Sequence, residues 1–312
     1  MEPSSQSFAP SKRSWFERNG FPTWVVVVAW FLGSLALFQI GGSVLSLAFI
    51  VIRVGHMPDL SDMNNMLKQN LDLVFLGNSI GQFIFLGIGS WFISKLAAPG
   101  GKVGSFTGFK APKNIGFLLI LALLIFIVIQ PVVWFLGWIN SLIPFPSFYM
   151  NFEKAQDSIL KDFLSGNMSV WFVLINVALV PAIFEEFMYR GFFLNILKKS
   201  GGPTLAIILS GIMFGAYHIR FTQIIPLSFL GMLLGYLAWR SESIYPAMIG
   251  HFVNNGLSVI LAAFAPSFVF SKTTTDNMPP LIWIVLSVLV TGYLIYLFVT
   301  ESQNNAKGVS DV

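Results

Sequence analysis

The chain has 312 residues, 55% of them hydrophobic and only 10% charged, with a mean hydropathy of +0.75. Soluble domains carry about 25% charged residues, so a soluble fold with a single anchor is excluded. There is no cysteine, which excludes thiolate catalysis, a disulfide framework and thiolate metal sites. The net charge of +4 is spread along the chain and points to anionic lipid headgroups as partners, not to nucleic acid.

Residues 1–23 are a polar tail carrying Lys12, Arg13 and Arg18. Apolar runs of about 20 residues, the length that crosses the hydrocarbon, then recur at 24–52, 71–94, 116–139, 169–197, 203–220, 222–239, 243–265 and 281–299. Backbone polar groups in lipid need internal partners, so runs of this length are helices; the strand alternation of a barrel is absent. The first run is too long for a signal-peptide core and is predicted to be an uncleaved span. The expected fold is all-α, a polytopic membrane bundle of about eight transmembrane helices. Its parts are the tail, 24–168, a four-helix core at 169–265, and 266–312 with the last span and a polar tail. A multi-pass protein of the cell membrane is expected.

Lys95, Lys102, Lys110 and Lys113 lie in the loop after the second span, and Lys198 and Lys199 in the turn after the fourth. Together with the basic tail they place both termini in the cytoplasm by the positive-inside rule. The stretch "NFEKAQDSILKDFL" groups Phe152, Ile159, Leu160, Phe163 and Leu164 on one face, opposite Lys154, Asp157, Lys161 and Asp162. It reads as a helix lying at the interface or as a gate over the next span. The Gly-rich "APGGKVGSFTGFKAPKN" follows no strand and reads as a solvated loop. Glycines four apart (Gly77 and Gly81, Gly211 and Gly215, Gly231 and Gly235) predict close helix packing. "GNSIG" around Ser79 fits a serine-hydrolase pattern, but inside a span it has no strand-to-helix turn and is set aside. The helical zinc motif H-E-x-x-H is absent.

"VPAIFEEFMYRGF", residues 180–192, places two carboxylates and a guanidinium inside an apolar run. Glu185, Glu186, Arg190, His218 and His251 are nearly all the ionisable groups at span centres, and Asn254 and Asn255 follow one turn after His251. Such residues in lipid are costly and mark functional sites. Glu186 and Arg190 are four apart and predict a structural ion pair. Glu185 is rotated about 100° away with no cation at helical spacing, which leaves it for acid–base chemistry. Glu185 lies 16 residues before Gly201 and His218 lies 16 after Gly202. A hairpin there sets both at one depth, about 24 Å from the turn. His251 and Asn255 share a helical face, and a neutral imidazole N–H with a carboxamide N–H suits an oxyanion hole. Pro181 predicts a kink one turn before Glu185.

"EEFMYR" (185–190), "FGAYH" (214–218) and "HFVNN" (251–255) resemble the three motifs of the CPBP family of intramembrane proteases, which includes the type II CAAX prenyl endopeptidases and bacterial Abi and bacteriocin-processing homologues. The resemblance covers roughly 169–260 and implies a four-helix catalytic core. It implies that Glu185 and His218 activate a water, that His251 and Asn255 stabilise the oxyanion, and that Glu186, Arg190 and Phe214 support them. The implied activity is an intramembrane endopeptidase acting on a membrane-associated protein or peptide. No cofactor is required if the glutamate activates water; zinc on Glu185, His218 and His251 is the other route the same residues allow. A non-catalytic scaffold or bacteriocin-immunity protein, or a proton-coupled transporter, are the rival functions. A transporter would show inverted repeats, and the motifs are not repeated.

Overall fold

The computed structural model describes residues 13–57, 59, 61–164, 168–266 and 277–310. Lys12 of the basic tail lies outside them. Among the described residues the regular structure is helical, with no strand.

The principal helices are α1 (Thr23–Val54), α2 (Leu71–Ala97), α3 (Ile115–Val128), α4 (Gln130–Ser141), α5 (Ser147–Leu164), α6 (170–201), α7 (203–217), α8 (Ile224–Ser241), α9 (Tyr245–Phe264) and α10 (Leu281–Ser310). The bundle is polytopic, with six stretches among the described residues long and apolar enough to cross a membrane. A seventh arises if α3 and α4, bent by 44°, form one span. The expected count of about eight differs because Val170–Tyr217 is one 48-residue stretch by length and composition. Inside it Gly202 has φ 75° and ψ 174°, which is not helical. Glu185 and His218 would be about 50 Å apart on a continuous helix, yet they lie 3.9 Å apart. The chain therefore reverses at Gly202, a backbone conformation open to glycine and strained for other residues.

Each glycine pair marks a close approach. A Cβ on Gly77 would lie 2.6 Å from the Ser46 backbone, and one on Gly81 would lie 3.0 Å from Gly42 Cα, so α2 lies directly on α1. A Cβ on Gly211 would lie 2.7 Å from Met232 N, and one on Gly231 would lie 2.8 Å from the Gly211 carbonyl oxygen. Thus α7 and α8 touch through their backbones, as small residues permit in lipid. Ser79 donates to Asn176 Oδ1 at 2.6 Å and joins α2 to α6. The core runs along α3, where Leu118, Leu121, Ile125 and Phe126 pack with Leu234 of α8, Ala247 of α9 and Phe298 of α10.

The basic loops share one end of the bundle. Lys110 pairs with Glu242 at 2.6 Å, Lys199 lies 3.4 Å from the Ala97 carbonyl oxygen, and the Ile244 N–H donates to Gly108 at 3.1 Å. The other end of α8 starts at the turn after His218, where α5 is docked. The interfacial helix forms, and its apolar face is covered by protein at the C-terminal end and open at the N-terminal end. Phe163 is buried, whereas Phe152 is 50% exposed and Glu153 only 2% exposed.

Candidate active site

The helix that carries the acids is not uniformly α. Ile175–Leu179 and Phe187–Phe193 are π-helical, flanking the α-helical Val180–Glu186. Each wider turn shifts the side-chain register, and such turns recur at functional sites. Through the second of them every residue is buried. Pro181 has no N–H, so an α-helical register would leave the Val177 carbonyl without its donor. Asn255 of α9 supplies one, at 3.0 Å. The donor that Pro181 lacks is thus supplied by a side chain whose spacing from His251 suggests an oxyanion donor.

Glu186 and Arg190 form the expected pair, 2.7 Å apart with both side chains 0% exposed. The guanidinium also donates to the Gly231 carbonyl at 2.7 Å and lies 4.8 Å above the Phe214 ring. Gly231 is thus held twice, by its contact with Gly211 and by Arg190. Gly231→Ala forces its Cβ against the Gly211 backbone and displaces the Arg190 acceptor. A loss of about 1–3 kcal/mol is expected, read by unfolding in detergent; an unchanged midpoint contradicts the packing account.

The Glu186 carboxylate has a second partner that spacing alone does not reveal. His251 Nδ1 lies 2.8 Å from Glu186 Oε1. Facing a carboxylate, Nδ1 carries the proton, so the neutral ring presents its Nε2 lone pair to the Asn255 amide, 3.1 Å away. This differs from the expected neutral imidazole N–H donor: in the neutral ring the proton is spent on Glu186, and donation through Nε2 requires the imidazolium. Gly250 lets this segment close on α3, since a Cβ there would lie 2.6 Å from Phe126.

Glu185 and His218 stand apart from that network. Glu185 Oε2 lies 3.9 Å from His218 Nε2, and the side chains are 12% and 29% exposed. His218 Nδ1 lies 2.8 Å from the Phe214 carbonyl oxygen, so Nδ1 is its protonated nitrogen and Nε2 turns a lone pair toward the acid. Glu185 Oε2 has no hydrogen-bond partner among the described residues. The Phe214 ring stands edge-on to both imidazoles, 4.8 Å from His218 and 5.5 Å from His251. All seven residues singled out by the motifs therefore converge on one region. The neutralised triad of Glu186, Arg190 and His251 lies deeper, and the pair of Glu185 and His218 lies nearer the α5 end.

Gln130 lies outside the three motifs. It stands at the α3–α4 bend, donates to Asn254 Oδ1 at 3.2 Å, and Asn254 donates to Asn255 Oδ1 at 3.1 Å. A polar chain thus runs from Gln130 through Asn254, Asn255, His251 and Glu186 to Arg190. An amide in the middle of an apolar run, next to Pro131, is its one signal in the sequence. As for metal, Glu185, His218 and His251 are the residues that zinc would take. Both His251 nitrogens are engaged, and among the described residues no group of three or more His, Asp or Glu is placed to hold an ion.

Residues 167–257 match the family model described as type II CAAX prenyl endopeptidase Rce1-like. This segment is similar to the Rce1-like members of the CPBP family. It holds every motif residue, on α6 to α9. The UPF0177 protein YbdI of Lactococcus lactis subsp. lactis (strain IL1403) is 32% identical over 79 residues, covering 24% of this chain and 42% of that protein. The chain thus spans under half the length of that curated relative. No solved structure matches the chain. An Rce1-like segment within a bundle of membrane-length helices makes this a multi-pass membrane protein.

Proposed function

We propose that the protein is an intramembrane endopeptidase in which Glu185 and His218 activate a water molecule. The observation that carries this reading is the pairing of the two groups. Glu185 faces the lone pair of His218 at 3.9 Å, while its neighbour Glu186 is neutralised by Arg190. Two acceptors at that separation do not bond to each other but can share one water. Glu185 takes a proton from the water, and the oxygen adds to the scissile carbonyl carbon. The tetrahedral oxyanion collapses, the C–N bond breaks, and the proton held by Glu185 passes to the leaving amine. The two Asn255 amide hydrogens go to the Val177 carbonyl and the neutral His251 ring; protonation of His251 releases one of them and adds an Nε2–H, and these are the donors assigned to the oxyanion. No step uses a metal.

The substrate is a membrane-associated protein or peptide, and the Rce1-like match favours a prenylated C-terminal motif. The test is mass spectrometry of a farnesylated CAAX-terminated peptide, and of membrane protein extracts, incubated with purified wild type and with Glu185→Gln. Products formed by wild type alone, with or without chelator, support the reading. Chelator-sensitive cleavage overturns the metal-free mechanism, and identical product patterns from both proteins overturn the activity. Asn255→Ala is expected to lower turnover by about 10²-fold, as the loss of one oxyanion donor does, measured on the peptide that wild type cleaves.

A further inference from the structure

His218 ends α7, and the turn that follows it is tied to helices outside the Rce1-like match. Ile219 has φ 52°, a left-handed conformation that a β-branched residue keeps only when its surroundings impose it. Those surroundings come from α4 and α5. The Tyr149 hydroxyl lies 2.9 Å from the Ile219 carbonyl oxygen and accepts the Phe221 N–H at 2.7 Å. The Glu153 carboxylate accepts the Thr222 N–H at 3.3 Å and also contacts the Thr222 and Tyr149 hydroxyls. Tyr149 has one hydroxyl proton, shared between Glu153 and Ile219 as alternatives. Arg220 pairs with Asp157 one turn further along α5. Asn140 closes the far side, donating to the Phe221 carbonyl at 2.9 Å and accepting the Ile225 N–H at 2.8 Å.

An interfacial helix turns its aromatics toward lipid, and Phe148 and Phe152, 76% and 50% exposed, are free to do so. The unusual member is Glu153, an acid that is 2% exposed and turned into the protein. Burying a carboxylate is costly unless donors surround it, and here they do. Burial would raise the Glu153 carboxyl, but the hydrogen bonds from Thr222 and Tyr149 outweigh it and hold it below the ordinary range. The carboxylate thus stays ionised at neutral pH.

We propose that Glu153 and Tyr149 are positioning residues for His218, a clamp by which the interfacial helix holds the strained turn and so aims the imidazole at Glu185. This rests on the proteolytic reading for its purpose, but its geometry can be tested without it. The chain has three histidines, so protein labelled with ¹³C,¹⁵N-histidine gives three imidazole signals. The His218 signal is the one lost in His218→Gln. In Glu153→Ala and in the milder Tyr149→Phe, that signal is expected to move. The signals of His251, held by Glu186, and of the distant His56 are expected to stay. Glu153→Gln keeps one acceptor oxygen for Thr222 and is expected to give a smaller displacement.

On a cleaved peptide, Glu153→Ala is expected to lower kcat at least about tenfold at unchanged KM, as misplacement of a catalytic group does. A His218 signal unmoved in folded Tyr149→Phe overturns the clamp. So does a Glu153→Ala protein in which the His251 signal moves as far as that of His218, since that reports general loosening. If wild type cleaves nothing, the proteolytic reading fails while the imidazole signals still decide the clamp.

Discussion

Purified Glu185→Gln protein is expected to lose about 10³-fold in cleavage rate, the scale of removing a general base. It should unfold within about 0.5 kcal/mol of wild type. The amide is isosteric with the carboxyl, and Glu185 has no Lys or Arg partner among the described residues to lose. Both quantities are measured on one preparation: turnover of the farnesylated peptide and the unfolding midpoint in the same detergent. Retained turnover would remove Glu185 from the chemistry. Lost turnover with a collapsed midpoint would make Glu185 a structural group instead.

Glu186→Gln is expected to do the opposite. The Arg190 guanidinium is fully buried, and its other polar contact is the neutral Gly231 carbonyl. Removing the carboxylate strands a buried cation, which costs about 3 kcal/mol or more and lowers the unfolding midpoint by several degrees. The same substitution takes the carboxylate from His251 Nδ1, so residual turnover in the protein that does fold should fall as well. Adjacent in sequence, the two glutamates are expected to separate cleanly into one chemical and one structural defect. Equal stability of the two variants would contradict that division.

The reason lies in helix geometry. Two residues in succession on a helix point about 100° apart, so Glu186 turns into the bundle toward Arg190 and α9 while Glu185 turns toward α7. The i,i+4 spacing makes the ion pair legible in the sequence. The equal distance of Glu185 and His218 from Gly201 and Gly202 makes their common depth legible too. The three motifs point to the family, and the match over residues 167–257 agrees with them.

Other features have no local signal. The bond of His251 to Glu186 joins residues 65 apart, and its effect on the proton of the ring is invisible to spacing. Asn255 reads as an oxyanion donor from its place one turn after His251. Only the tertiary contact reveals it also meeting the Val177 carbonyl at Pro181. Glu153 is not singled out by the amphipathic pattern, although at 100° per residue it falls beside Leu160 and Leu164 on the apolar face. Its burial depends on which residues of the distant 219–222 turn are waiting for an acceptor.

That this chain crosses a membrane repeatedly as helices follows from its residues alone, because lipid leaves the backbone few other ways to satisfy its hydrogen bonds. The residues also mark which charged groups are too costly to be incidental, because hydrocarbon penalises every one of them. How those groups divide their work emerges once the helices are packed. Hydrogen-bond direction, the engaged nitrogen of each imidazole and the anchoring of the turn after His218 depend on side chains that meet across helices. Such meetings follow from packing, not from spacing along the chain.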